Sequence, residues 1–223
     1  MYLSRIAINK QLRKSRQALA FPEIMHAAVM SSFPPGSTNE AGGGKPRVLW
    51  RTDHVGEQIW LYVLGEAKPD FQHIVEQFGW RDSEQLWETK EYDGFLDRLS
   101  NGQKWHFRLH ANPVHTFEGK IAAHVSLEHQ KQWLRERAEK NGFSFQQIKI
   151  ENVSHDAFNV IYRDTIRFKK QPTDKTYVTL SVATFEGGLI VEDAGVLKQA
   201  LYSGIGKAKA YGCGLLTLAN QNG

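Results

Sequence analysis

Residues 2–9, YLSRIAIN, alternate apolar and polar side chains, the spacing of a strand with one buried face. The period then changes. Residues 21–33 predict a helix, with Pro22 near its start and Pro34-Pro35-Gly36 as its stop. Ile24, Met25, Ala28 and Val29 form the apolar stripe of this helix, and His26 falls just past its edge. The stretch 37–45, STNEAGGGK, is small, polar and glycine-rich and reads as a loop. Residues 48–53 and 58–65 predict two strands joined by a turn at 54–57, and 69–78 have helical spacing through Phe71, Ile74, Val75 and Phe78. Residues 104–111 alternate again as Trp105, Phe107 and Leu109, so the first half has the order βαββαβ. Residues 81–100 show no clear period.

The second half repeats the theme without repeating the sequence. Residues 127–141 predict a charged helix with Trp133, Leu134 and Ala138 on one side and Gly142 as its stop, a bridge between the halves. Strands are expected at 143–153, 160–170 and 176–185, the last two joined by the turn residues Gln171-Pro172-Thr173-Asp174-Lys175. A helix over 194–203, an eleven-residue loop GIGKAKAYGCG, and a short strand through Leu215, Leu216 and Leu218 complete it. The division predicted is therefore 1–118 for a first domain, 119–142 for a linker and bridging helix, and 143–223 for a second domain of related α+β architecture.

Composition narrows the function. No apolar run approaches the roughly 20 residues needed to span a bilayer, and the opening stretch lacks the apolar core and cleavage site of a secretory signal, so a soluble cytoplasmic protein is expected. The single cysteine, Cys213, has no partner for a disulfide or a CxxC zinc site and reads as a small buried hydrophobe. Lys+Arg and Asp+Glu balance over residues 1–118, so the whole net charge of +4 lies in the second half. A separate run of Arg5, Lys10, Arg13, Lys14 and Arg16 precedes the first acid. Such concentrated patches suit a polyanion better than a small neutral metabolite.

The loop at 204–214 decides which polyanion. A dinucleotide fingerprint needs GxGxxG between a strand and a helix; here Lys209 stands where the third glycine belongs, and a helix precedes the loop instead of following it. A P-loop fails because Gly206-Lys207 is followed by Ala208. What remains is a helix-to-strand loop whose amides at Gly204, Gly206, Gly212 and Gly214 can approach phosphates, with Lys207 and Lys209 adding charge. The nine histidines form no HExxH, and no acids have metal-loop spacing, so no metal site is expected.

The segment GIGKAKAYGCGLLTLA resembles the C-terminal glycine-rich loop of the repeat-associated RNA-binding superfamily of CRISPR systems. The opening MYLSRIAIN, the Met25-His26 pair, FRLHANP at 107–113, WLRER at 133–137 and FEGGL at 185–189 are similar to one branch, the type I-E CRISPR endoribonuclease family called CasE. The resemblance implies two tandem ferredoxin-like (RRM-like) domains and recognition of a CRISPR repeat hairpin. It implies one metal-independent cut at the 3′ base of the stem, by attack of a ribose 2′-OH, leaving a 2′,3′-cyclic phosphate and a 5′-OH. Retention of the product alongside other Cascade protein subunits follows from it too, with no small-molecule cofactor and no membrane. The runner-up is a non-catalytic RNA-binding subunit of a CRISPR ribonucleoprotein.

Carried onto these residues, the resemblance makes His26 the catalytic histidine, either general acid to the leaving 5′-oxygen or base toward the 2′-OH; an imidazole with an ordinary pKa of about 6.5 serves for both. The family usually has a tyrosine three residues earlier, where this chain has Glu23. Carboxylate and imidazole at i, i+3 share a helix face, and a carboxylate there favours the imidazolium. Arg163, Arg167, Lys169, Lys170 and Lys175 lie where the family carries a basic element that grips the RNA stem. Lys207 and Lys209, with Arg13, Lys14 and Arg16, are further candidates for the RNA backbone. The aromatics Trp105, Trp133 and Phe107 read as core.

Overall fold

The computed structural model describes residues 1–37, 48–81, 86–169 and 174–220, and divides the chain into two compact units. The expected loop at 37–45, after Ser37, and the candidate Lys170 lie outside the described residues.

The first unit comprises residues 1–97 together with 209–212. Strand β1 (Tyr2–Ile8) is followed by helices α1 (Arg13–Ala20) and α2 (Pro22–Met30), strands β2 (Leu49–Val55) and β3 (Gln58–Gly65), helix α3 (Gln72–Phe78), strand β4 (Glu88–Glu91) and a single helical turn α4 (Asp93–Leu96). The sheet has the order β2-β3-β1-β4 with every neighbour antiparallel, the ferredoxin-like arrangement. Alternation dictates which face is buried. Ile6 and Ile8 of β1 pair with Leu61 and Ile59 of β3, and all four pack with Met25 and Val29 of α2 and Ile74, Val75 and Phe78 of α3. Against the expected stripe, Ile24 is exposed while Pro22, Met25 and Val29 are buried. Helix α1 is not predicted from the sequence. RKSRQALA offers only Ser15 and Ala18 to the interior, too few apolar positions to show a period, and Ser15 secures the helix by donating to the Phe78 carbonyl at 3.0 Å.

The second unit comprises 98–208 and 213–223, of which residues up to 220 are described. It begins with strand β5 (Lys104–Ala111), then a hairpin of β6 (Val114–Phe117) and β7 (Lys120–Ala123), helix α5 (Leu127–Lys140), strand β8 (Phe143–Phe145) and a second small hairpin of β9 (Gln147–Ile150) and β10 (Val153–Asp156). The long strands β11 (Phe158–Phe168) and β12 (Val178–Val191) follow, then helix α6 (Ala194–Ser203) and strand β13 (Leu216–Ala219). The sheet runs β11-β12-β5-β13, with β8 on the far end of β12. Counting β5, β11, β12 and β13 as its four strands, this is the first unit's order again.

That assignment corrects the predicted domain boundary. Residues 104–111 form a strand as expected, but β5 belongs to the second unit, where it is central and pairs with β12 and β13; residues 88–91 supply the fourth strand of the first sheet instead. The reason is in the side chains. Phe107, Leu109 and Ala111 are fully buried, and Phe107 meets Phe143 and Phe145 with ring centroids 6.3 and 5.7 Å apart. The helix at 127–140 is likewise part of the second unit, with Trp133, Leu134 and Ala138 in its core. A Ser126 hydroxyl accepting from the His129 amide caps it.

Candidate functional site

Helix α2 carries the catalytic candidates. Phe21 is extended and Pro22 opens the helix, a position where its missing N–H costs nothing. Glu23 then sits in the first turn, where a negative charge complements the helix dipole. Both Glu23 and His26 are half-buried, and Glu23 Oε2 is shielded from solvent with no hydrogen bond among the described residues. Spaced three apart, the two side chains lie on one helix face.

A second element meets this helix. Lys209–Tyr211 form a 3-10 turn, part of the first unit, that packs against α2 and β2. Gly212 closes the turn with φ of 80° and lies so close to Trp50 that a Cβ would sit 2.9 Å from its Cζ3. Lys209 is therefore brought beside the helix that bears Glu23 and His26. Arg13, Lys14 and Arg16 lie on α1, which packs on α2, and all three are exposed. Arg16 is partly committed, since its guanidinium donates to the carbonyls of Lys10 and Gln11 at 3.2 and 2.6 Å.

The remaining loop residues belong to the second unit. Gly204 ends α6 with φ 72° and ψ 156°, its N–H donating to Ala200 at 2.8 Å. This region of the backbone map is open essentially to glycine alone. Ile205 N–H donates to the Gly214 carbonyl at 2.9 Å and Gly214 N–H to the His110 carbonyl at 2.7 Å, so the loop is stitched to β5. Gly206 faces Trp133, and Lys207 is exposed, its backbone bridged to Asn112. Cys213 is fully buried and burial pushes its thiol up to about 12, which fits an inert core residue.

The basic candidates on β11 divide. Arg163 is exposed but ties the chain together, donating through Nη2 to the Val125 carbonyl beyond the β6–β7 hairpin. Arg167 lies over the ring of Tyr177 at 4.2 Å, with Lys169 on the same ring at 5.5 Å. Tyr177 is exposed, so this pair of cations on one ring forms a surface ridge where β11 ends and β12 begins. Lys175 is exposed nearby. Sequence reasoning does not single out Tyr177; an aromatic flanking a basic strand end is the signal that could have. Of the three aromatics read as core, Trp133 and Phe107 are buried and Trp105 is half-buried. Among the described residues, no group of three or more His, Cys, Asp or Glu is arranged to hold a metal ion, and no helix is long and apolar enough to cross a membrane.

Fold and site together define a tandem ferredoxin-like protein with a histidine-bearing helix in one unit, a basic hairpin in the other, and a glycine-rich loop whose residues 209–212 belong to the first unit and whose remainder belongs to the second. The chain belongs to the CRISPR-associated protein family, whose family model matches residues 1–220. It is 28% identical over 227 aligned residues to the CRISPR-associated endoribonuclease Cse3 of Thermus thermophilus, covering 98% of this chain and 100% of that protein. Among solved structures it is similar to Cse3 bound to a 19-nucleotide RNA, with TM-score 0.79, 25% identity, and 98% of this chain and 100% of that one covered. It is similar, too, to Thermus thermophilus Cse3 bound to an RNA representing a pre-cleavage complex, with TM-score 0.75, 25% identity and 98% of both chains covered.

Proposed function

We propose that this protein is a site-specific endoribonuclease that binds the stem-loop of a CRISPR repeat and cuts precursor CRISPR RNA once, at the 3′ base of the stem. The 2′-OH of the nucleotide before the cut loses its proton as its oxygen bonds to phosphorus, the P–O5′ bond breaks, and the departing oxygen takes up a proton. The products are a 2′,3′-cyclic phosphate and a 5′-OH. His26 transfers one of those two protons, and Glu23, one turn earlier on the same helix face, is the group placed to steer it. Lys209, on the turn packed against that helix, supplies positive potential for the phosphate, and Lys207 with the Gly206 amide does so for the RNA backbone at the second unit. The N–H groups of Gly204, Gly212 and Gly214 are spent on the Ala200, Lys209 and His110 carbonyls. These three glycines therefore shape the loop and do not bind phosphate, contrary to the expectation from the sequence. Arg167 and Lys169 grip the stem through its phosphates, since the A-form major groove is too deep and narrow for side chains to read. Lys170 serves the same role by its place in the sequence, and Arg13, Lys14 and Arg16 line the approach on α1. Arg163 acts at one remove, bracing the segment after the β6–β7 hairpin.

In this proposal the protein works in the cytoplasm, keeps its product and carries it into Cascade with the other protein subunits. No metal or small-molecule cofactor takes part. The observation that carries the proposal is a half-buried histidine on a helix against which the lysine-bearing turn of the glycine loop is packed, in a chain matching an endoribonuclease along nearly its whole length. Incubation with the RNA repeat of its own CRISPR array in EDTA is the test. A single cut with a cyclic-phosphate end, lost in His26→Ala while binding stays within a few fold, is expected. Tight binding with no product would make the protein a non-catalytic RNA-binding subunit instead.

A further inference from the structure

The first sheet has a second face. Ile6, Ile8 and Leu61 point toward the helices, so their neighbours Arg5, Ala7, Trp60 and Tyr62 point away, with Ala7 opposite Trp60 and Arg5 opposite both Tyr62 and Glu88. On that face, wholly within the first unit, a cavity of about 810 Å³ opens between β1, β3 and the side chains of Trp80, Arg81, Leu86 and Trp87. Its size is that of a site for a small organic ligand. Three of the chain's six tryptophans, Trp60, Trp80 and Trp87, line it, although alternation and burial require only that β3 supply one.

The three are held differently. Trp87 is half-buried and rests edge-on against Phe71, with centroids 6.2 Å apart and planes at 80°. Trp60 carries the Arg5 guanidinium over its ring at 4.8 Å. Glu88 fixes that guanidinium with two bonds, 3.0 Å from Nε and 2.7 Å from Nη2, holds the Arg5 pKa above its ordinary value, and balances its charge. Trp80 is 42% exposed, an indole left partly open at the cavity mouth. Arg81 is fixed beside it by donation to the Glu76 carbonyl. The side-chain amides of Asn9 and Gln58 complete the wall with groups able both to donate and to accept.

A guanidinium plane fixed on an aromatic ring and already paired with a carboxylate is a poor phosphate receptor but a good flat surface for a base. Nucleobases stack on arginine planes and on indoles, and paired donor and acceptor groups match their edges. We propose that this cavity takes one unpaired nucleotide of the RNA strand outside the stem. Its base lies between the Arg5–Trp60 platform and Trp80, and Asn9 and Gln58 meet its edge. This inference rests on the RNA-binding reading above and adds to it a site for single-stranded RNA separate from the groups assigned to the stem and the cut.

The test compares the bare repeat hairpin with the same hairpin carrying a short single-stranded extension on each side in turn, at one salt concentration. For the wild-type protein, an extension on one side tightens binding about tenfold, the worth of one stacked base. Trp80→Ala loses that gain and binds the bare hairpin as the wild type does, whereas Trp80→Phe keeps most of it. An equal gain in Trp80→Ala, or no gain in the wild type, overturns the pocket while leaving the hairpin reading intact. A wild-type protein that binds neither form overturns both readings at once.

Discussion

The two units share one sheet order and differ in what hangs on it. In the first, β1, β2 and β3 run to seven, seven and eight residues, and the link between β1 and β2 holds the two small helices, the second bearing His26. In the second, the corresponding link between β5 and β11 contains two extra hairpins besides its helix, and β11 and β12 run to eleven and fourteen residues. The far end of that strand pair, where β11 gives way to β12, is where Arg167, Lys169 and Tyr177 cluster. The same fold thus carries the half-buried His26 on a helix of the first unit and the cations of Arg167 and Lys169 at the end of the second unit's long strands. In the proposed function the first unit supplies the chemistry and the second the hold on the stem.

The largest effect expected breaks the units apart functionally. His26→Ala should slow cutting by roughly 10²–10⁴-fold, the usual worth of a general acid or base, with little loss of RNA affinity. Arg167→Ala should do the reverse. Its Kd for the hairpin rises several fold and the slope of log K against log salt falls by about one, because one phosphate contact is lost. Single-turnover cleavage rates and a salt series on each variant measure both. A slow Arg167→Ala that binds normally would erase the distinction between the units.

The next effect compares the two halves of the glycine loop. Gly212 belongs to the first unit and meets Trp50; Gly206 belongs to the second and meets Trp133. Both have positive φ, 80° and 88°, so alanine is strained at either. The space differs. A Cβ on Gly212 would lie 2.9 and 3.1 Å from two Trp50 ring carbons, whereas on Gly206 the nearest atom is 3.2 Å away. Gly212→Ala should cost roughly 2–4 kcal/mol and Gly206→Ala about 1–2. Gly56→Ala, with φ of 57° and no atom within 4 Å, should cost about 1 kcal/mol and calibrates the strain alone. Denaturant titrations give all three values.

The comparison explains what the sequence could and could not convey. Alternation identifies β1, β3 and β5 because their buried positions include Ile6 and Ile8, Ile59, Leu61 and Val63, and Phe107 and Leu109 at every second residue. It did not say which sheet β5 joins, because a period of two is a property of the strand and carries no information on its partners. Helix α1 was hidden because it buries a serine and an alanine. The hairpin of β9 and β10 is hidden inside the single strand expected at 143–153, because Ile148, Ile150 and Val153 are apolar yet exposed and mark no turn between them. At the candidate site, His26 and the glycines are candidates through the motifs they belong to. The bond of Arg163 to Val125 and the stacking on Tyr177 are not legible that way, since each joins residues whose proximity only the folded sheet creates.

The smallest effect concerns the elaborated unit alone. Three histidines gather where the β6–β7 hairpin meets α5: His115 and His124 have ring centroids 4.4 Å apart, and His124 and His129 5.9 Å. Burial, then repulsion from His115 and His129, holds His124 below its ordinary value of 6.5, with Glu136 opposing. A group whose folded pKa is lowered binds its proton less readily when folded than when unfolded. Its contribution is therefore complete above pH 6.5 and is lost as the pH falls from there to the folded value, because the unfolded chain is protonated first. Strand β1 of the first unit and both its partners, β3 and β4, carry no histidine, so it serves as the internal reference over that window. Hydrogen exchange across pH 5–7 should show α5 and the β6–β7 hairpin loosening on the acid side while β1 holds, and His124→Gln should flatten the change. Equal loosening of both units would mean that the histidines are bystanders and that the extra hairpins of the second unit carry no pH dependence of their own.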